Sequence, residues 1–390
     1  MLLIQNADVH APRRLGLRNL LLGGGRVLWM GPPAELAELP PTLRGAGRVL
    51  DLGGARLIPG LIDGHVHVTG GGGEAGFRTR VPPLSLGRFS GAGVTTVVGL
   101  LGTDDVARGP RELLAVLYAL REQGLNAYGY AGGYHVPPAT LTGSVRGDLV
   151  FVDALIGIGE IAVSDHRSSQ PTLEELVRLA ADAHVAGLMT DKAGILHLHL
   201  GDGPRGLELV RRALAETELP ARVWHPTHVN RRRALFEEAL ALARAGCTVD
   251  LTAFPVAAGE DAYSAAEGLV RYAASGAAPE RITVSSDAGG CLPEFDADGR
   301  VTGMAVGSAG ALLATLREAG ALGLALEAAL PAFTANPARL LRLPRKGVIA
   351  AGADADLVAL DATGGARTVI IGGEVHVEDG AVVRRGSFES

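Results

Sequence analysis

The chain has 390 residues, 47% hydrophobic and 20% charged, enough for a sizeable core and unlike a disordered or low-complexity protein. A formal net charge of −6 argues against a nucleic-acid partner, and Cys247 and Cys291 are too few for a disulfide framework. Residues 1–8 have neither a charged n-region nor a long apolar h-region, and apolar runs such as 94–101 fall short of the roughly 20 residues a bilayer span needs. The expectation is a cytoplasmic protein in a reducing setting, with no signal peptide and no membrane partner.

Residues 1–55 are short apolar runs (2–4, 20–22, 26–30 and 48–52) broken by glycine, the pattern of small antiparallel strands, with room for one helix at 33–38. From there the chain alternates apolar strand candidates with amphipathic helix candidates, the mark of βα units and a parallel sheet. The strands are expected to end near His67, Leu101, Tyr134, Glu160, His199, His228, Ala253 and Asp287. Eight such strands favour a closed barrel over an open sheet. After the fourth, Thr172 and Glu175 form a capping box, and Leu173, Leu176, Val177 and Ala180 give a helical stripe. Another helix is expected from about 231 to 245, stopped by Gly246; the run Arg231-Arg232-Arg233 reads as its solvated start. Runs at 355–360, 367–371, 373–377 and 381–384 look like strands again. The fold class read from this order is α/β, a (β/α)₈ TIM-like barrel at 56–343. A small β-sandwich domain is formed by both chain ends, 1–55 and 344–390.

Residues 60–67 read Gly-Leu-Ile-Asp-Gly-His-Val-His. On a strand, His65 and His67 project from one face, and two imidazoles side by side suit a borderline metal such as Zn²⁺. Alone, the pair is weak evidence and is better explained by ordinary buried or surface histidines. Glu160, however, lies within the apolar run Leu155-Ile-Gly-Ile-Gly-Glu-Ile-Ala-Val163, where a carboxylate is rarely buried without a partner. His199, His228 and Asp287 end further apolar runs. The C-terminal rim of such a barrel carries the active site. Four histidines and two carboxylates on that rim suffice for two adjacent divalent ions with open positions for water. Zn²⁺ is the expected ion, although the same ligands accept Mn²⁺ or Co²⁺. His197 shares a strand face with His199 one layer deeper and reads as a neighbour of the ligands.

Several motifs accompany these residues: the glycine run 70–73 followed by Glu74 and Gly76, Ser164-Asp-His-Arg-Ser168, Pro226-Thr-His-Val-Asn-Arg231, Ser285-Ser-Asp287 and the closing Gly352-Ala-Asp-Ala-Asp-Leu-Val358. Over essentially its whole length the chain resembles the amidohydrolase superfamily, and within it the isoaspartyl dipeptidases, or β-aspartyl peptidases. The resemblance implies hydrolysis of the β-aspartyl bond in dipeptides by a hydroxide bridging two metals. Asp287 would then be ligand and proton shuttle, and Tyr134, in Gly132-Gly-Tyr-His135, the donor to the developing oxyanion. It also implies that Arg167 and Arg231 take the two substrate carboxylates, for which a guanidinium fork is suited, and that Glu74 takes the α-ammonium. Gly72 and Thr103 would add backbone or hydroxyl contacts. A homo-oligomer is implied by resemblance alone.

Two positions depart from that family. Its well-studied members bridge the metals with a carboxylated lysine on strand four; counting back from Arg167, the matching residue here is Glu160. Lys192 and Lys346 are the only lysines, one before strand five and the other past the barrel, so Glu160 is the expected bridge, with a single-metal centre as the alternative. Cys291 stands near the position where the resembled dipeptidases carry a serine that touches the substrate carboxylate, and a thiol donates more weakly. The rival functions are an amidohydrolase of cyclic amides, of hydantoinase or dihydroorotase type, and a non-catalytic metal-binding relative.

Overall fold

The structure, a computed structural model, describes residues 1–44, 47–295 and 301–389. Parallel strands occur at Leu61–Val66, Val94–Gly99, Asn126–Ala131, Leu155–Val163, Leu196–Leu200, Trp224–Thr227, Val249–Thr252 and Ile282–Ser285, here barrel strands one to eight. The first six form one continuous sheet, and seven pairs with eight. Two backbone bonds join these pieces: Val229 N–H to the Asp250 carbonyl (3.3 Å) and His67 N–H to the Ala288 carbonyl (2.8 Å). Strand residues are buried almost throughout, as expected when helices cover the outer face of a parallel barrel.

The helix after strand four, Leu173–Thr190, starts on the predicted box: the Thr172 hydroxyl accepts from Glu175 N–H, and the Glu175 carboxylate accepts from Thr172 N–H. Leu173, Leu176 and Ala180 face the core. The predicted 231–245 helix is Arg233–Arg244, so Arg231 lies outside it and its side chain can turn towards the rim. The helix expected at 33–38 is a 3₁₀ turn.

Both chain ends meet in one nine-stranded sheet with its own core, including Ile4, Val9, Leu20, Leu57, Leu357 and Ile370. Most of its pairs are antiparallel, as expected, but Leu2–His10 lies parallel to both Arg48–Asp51 and Arg56–Pro59. The last of these strands also pairs with Leu357–Leu360, and Gly60 carries the chain directly into barrel strand one.

Two features depart from the sequence reading. Strand four does not end near Glu160 but runs on to Val163. Leu196 faces Ile158 while Leu198 faces Ile161, so strand four holds one extra residue against strand five. Such a bulge re-aims a side chain, here Glu160, without ending the strand. Gly159 makes the bulge possible: at φ 148°, a Cβ would lie 2.6 Å from the His197 carbonyl oxygen and 2.8 Å from its Cβ. Gly159→Ala is therefore expected to cost roughly 1–3 kcal/mol of stability. Thermal unfolding of the metal-free protein checks this; an unchanged midpoint would mean that strand five yields. The second departure is an antiparallel hairpin after strand eight, Cys291–Phe295 with Val301–Val306, which no apolar run announced.

Candidate metal-dependent active site

Six side chains from five strand ends converge above the barrel core. His65 and His67 come from strand one, Glu160 from the bulge of strand four, His199 from strand five, His228 from just past strand six and Asp287 from just past strand eight. None is more than 8% exposed. Glu160 sits between two groups: its Oε1 is 3.5 Å from His67 Nε2, while its Oε2 is 3.1 Å from His199 Nδ1 and 3.7 Å from His228 Nε2. Asp287 Oδ1 is 3.1 Å from His67 Nε2 and 3.4 Å from His65 Nε2. His228 (φ 61°) and Asp287 (φ 53°) adopt the left-handed conformation, a strain of order 1–3 kcal/mol each that concentrates at working sites.

The donor set fits divalent cations. His65–His67–Glu160, His65–His228–Asp287 and Glu160–His199–His228 each bring three ligand atoms within 4.8 Å of one another. His65 Nε2 and Asp287 Oδ1 are buried without a hydrogen-bond partner, a costly state that an ion relieves. Burial alone would keep His65 neutral, yet the carboxylates of Glu160 and Asp287 draw it up to about 9; against the same burial, the histidines hold both carboxyls well below their usual range. A buried nest this rich in anion and imidazole nitrogen suits Zn²⁺ and its neighbours. The lysines are committed elsewhere: Lys192 Nζ donates to the Leu149 and Val152 carbonyls, and Lys346 is buried against Asp354 and Asp356.

Beneath these six lies a layer that the sequence reading largely missed. Asp165 accepts two bonds from the Arg167 guanidinium (3.1 and 2.8 Å) and contacts His199 Nε2 at 3.0 Å, so one carboxylate orients both. Asp63 accepts from the Ser286 N–H (3.1 Å) and the Ser286 hydroxyl, tying strand one to the residue before Asp287. His228 Nδ1 meets the Thr252 hydroxyl at 2.7 Å. Asp63 and Asp250 are carboxylates inside apolar strands, so the reasoning that singled out Glu160 applies to them equally; Asp165 stood within the Ser164–Ser168 motif. Tyr134 Oη lies 2.8 Å from His199 Nδ1, and burial raises its phenol well above the usual value, keeping it a donor.

A cavity of about 620 Å³ opens over the cluster. Glu74, Thr103, Arg167, Arg231, Gly72 and Cys291 all line it. Thr103 donates to Glu74 Oε1 (2.8 Å), Arg167 Nη1 is 3.5 Å from the same oxygen, and Glu74 Oε2 is left buried and unpartnered. Arg231 Nη1 donates to the Leu200 carbonyl (3.0 Å) and lies 3.4 Å from His199 Nε2. The glycine run is a pinned turn. Gly71 N–H donates to the Gly289 carbonyl (2.7 Å), and buried Arg108, another unforeseen residue, donates to the carbonyls of Gly71 and Val81 (2.9 and 2.7 Å). Gly72 is required there: at φ 78°, a Cβ would sit 2.5 Å from the Thr79 carbonyl oxygen and 3.4 Å from Cys291 Cβ. Burial pushes the Cys291 thiol up to about 11, so it faces the cavity protonated. Further parts of the wall come from 254–257 and 260–262, from Asp202 and Arg232, and from Leu292 and Ala305 of the hairpin.

The model of the amidohydrolase family matches residues 56–376, most of the chain. The chain belongs to the amidohydrolase family. Among solved structures, this amidohydrolase is similar to the β-aspartyl dipeptidase of Fervidobacterium islandicum AW-1 in complex with β-Asp-Leu dipeptide. The two are 42% identical, with a TM-score of 0.91 over 98% of this chain and 97% of that one. A second structure of that dipeptidase gives 40% identity and a TM-score of 0.89 over 98% of both chains. A D-hydantoinase (dihydropyrimidinase) from Thermus sp. shares the fold at 16% identity, with a TM-score of 0.66 over 100% of this chain and 98% of its own. An imidazolonepropionase of Pseudomonas putida is 38% identical over 82 residues, 20% of this chain and 19% of that enzyme. The chain thus aligns with about a fifth of the curated relative's length. Family and ligand cluster together make this amidohydrolase a metal-dependent hydrolase. Among the described residues, no helix is long and apolar enough to cross a membrane.

Proposed function

We propose that this amidohydrolase cleaves the β-aspartyl peptide bond of isoaspartyl dipeptides. One observation carries the reading: an unpartnered buried carboxylate oxygen of Glu74 and the guanidinium groups of Arg167 and Arg231 line the same cavity as the six-ligand cluster. A β-linked dipeptide carries one free ammonium and two carboxylates, the complement of those three groups. The 42% identity to a dipeptidase solved with β-Asp-Leu supports the same substrate. A cyclic amide such as hydantoin or dihydroorotate has no ammonium for Glu74 to meet.

In this reading His65, His67, Glu160, His199, His228 and Asp287 would hold two divalent ions, Zn²⁺ being the expected metal, and Glu160, whose two oxygens face different histidines, would serve both. Bound there, such ions supply Lewis acidity and lower the pKa of water to about 7. Asp287 takes a proton from the attacking water and returns it to the leaving amine as the C–O bond forms and the C–N bond breaks. Tyr134 donates its hydroxyl hydrogen to the oxygen that gains charge, a role in which preorganised donors contribute most. Arg167, locked by Asp165, and Arg231 orient the carboxylates. Thr103 holds Glu74 to the ammonium, Gly72 lets the backbone approach the substrate, and the Cys291 thiol adds only a weak contact.

The decisive assay incubates metal-loaded protein with β-Asp-Leu, α-Asp-Leu, hydantoin and dihydroorotate. Release of leucine from β-Asp-Leu alone is the expected result, and turnover of either cyclic amide with none of β-Asp-Leu would overturn the proposal. Glu74→Gln, which removes the charge but keeps the shape, is expected to lower kcat/KM for β-Asp-Leu by about 10²-fold, the worth of a charge-assisted hydrogen bond of roughly 3 kcal/mol. Unchanged kinetics would remove Glu74 from substrate recognition.

A further inference from the structure

One layer below the cluster, a line of buried polar side chains crosses the barrel interior. It begins at His65, whose Nδ1 lies 2.8 Å from His197 Nε2 on strand five. His197 Nδ1 lies 2.8 Å from His225 Nδ1 on strand six, and His225 Nε2 lies 3.2 Å from the Thr283 hydroxyl on strand eight. The Thr283 hydroxyl donates to Asp250 Oδ1 on strand seven at 2.5 Å. None of these five residues is more than 3% exposed. Tyr130 stacks on His197 with ring centroids 4.8 Å apart and fixes its ring plane.

The direction of every bond follows from the far end. A carboxylate only accepts, and Asp250 collects three hydroxyls, Thr283 (2.5 Å), Ser285 (2.5 Å) and Thr227 (2.7 Å). The single hydroxyl hydrogen of Thr283 is therefore spent on Asp250, and its oxygen accepts from His225 Nε2–H. Burial pushes His225 down to about 4 against the pull of the Asp250 carboxylate, so the ring is neutral, has one N–H, and its Nδ1 accepts. His197 must then donate from Nδ1 and accept at Nε2, from His65 Nδ1–H. A histidine ligates metal in its neutral form, and in neutral His65 this leaves the lone pair on Nε2, the nitrogen that faces Glu160 and Asp287.

We propose that Asp250 is a positioning residue which, through Thr283, His225 and His197, sets the tautomer of His65 so that its Nε2 is free to bind metal. The relay rests on reading the six-residue cluster as a metal site, but not on which amide is hydrolysed there. Its polarity is set by the one anion at its end. An amide at position 250 can donate to Thr283 and reverse every bond, placing a hydrogen on His65 Nε2.

Thr283→Val removes the hydroxyl at constant shape and leaves Asp250 its other two donors; Thr283→Ser restores the hydroxyl; Asp250→Asn permits the reversal. Metal-free wild type and each variant are titrated with Co²⁺, following visible absorption for affinity and ligand field, with thermal unfolding as the check on folding. Thr283→Val and Asp250→Asn are expected to bind Co²⁺ about 10–100-fold more weakly, the usual cost of removing a group that orients a ligand, with an altered spectrum. Thr283→Ser is expected to match wild type. Wild-type-like Co²⁺ binding by a folded Thr283→Val protein would overturn the relay, as would weakening of Thr283→Ser to the same extent as Thr283→Val. Failure of wild type itself to bind Co²⁺ would instead overturn the metal site. If Thr283→Val does not fold, the Asp250→Asn and Thr283→Ser pair decides: weak binding by the first with normal binding by the second supports the relay, and equal binding overturns it.

Discussion

Asp287→Asn protein is expected to hold its metal and lose the reaction. The side chain lies past the end of strand eight, buried, with Oδ1 between His65 and His67 and no hydrogen-bond donor of its own. An asparagine carbonyl can still ligate there, but it cannot take a proton from water or return one to the leaving amine. A proton carrier of this kind contributes about 10²–10⁴-fold, so kcat for β-Asp-Leu should fall by about 10³-fold. Metal per chain, measured by elemental analysis, should stay near the wild-type value, which separates proton transfer from ligation. A variant that keeps its metal and turns over within about tenfold of wild type would take Asp287 out of the proton path.

The second large effect is expected at Glu160. Its Oε1 faces His67 and its Oε2 faces His199 and His228, so the two oxygens of one carboxylate reach both groups of histidines. If the wild type holds two ions per chain, as proposed, Glu160→Ala should lower that to one or none, and activity by about 10²-fold or more, beyond the 10–100-fold cost of losing an outer-shell partner. The four histidines then keep only Asp287 of the two anions that draw cations into a buried site. Two metals per chain in folded Glu160→Ala protein would show that the bridge lies elsewhere, and a single metal in wild type would point to a mononuclear centre. Neither lysine can restore a bridge, since Lys192 caps the 149–152 carbonyls and Lys346 is held by Asp354 and Asp356.

What the sequence by itself determined was the order of the βα units, five polar residues at strand ends with Glu160 inside its apolar run, and the small β domain made from both termini. Periodicity and burial are local properties of a chain, and a carboxylate within an apolar run is visible without coordinates. The same signal marked Asp63 and Asp250, but what each serves depends on partners 223 and 33 residues away, Ser286 and Thr283. Only the tertiary structure decided four things. It set the bulge at Gly159 that turns Glu160 inward, because a bulge is a mismatch between two strands and belongs to neither alone. It brought the Cys291–Phe295 hairpin into the cavity wall, and it pinned the glycine run through Arg108. Finally, it joined His65 to Asp250 across five strands of a closed barrel, because hydrogen bonds have a direction only when donor and acceptor are both in place.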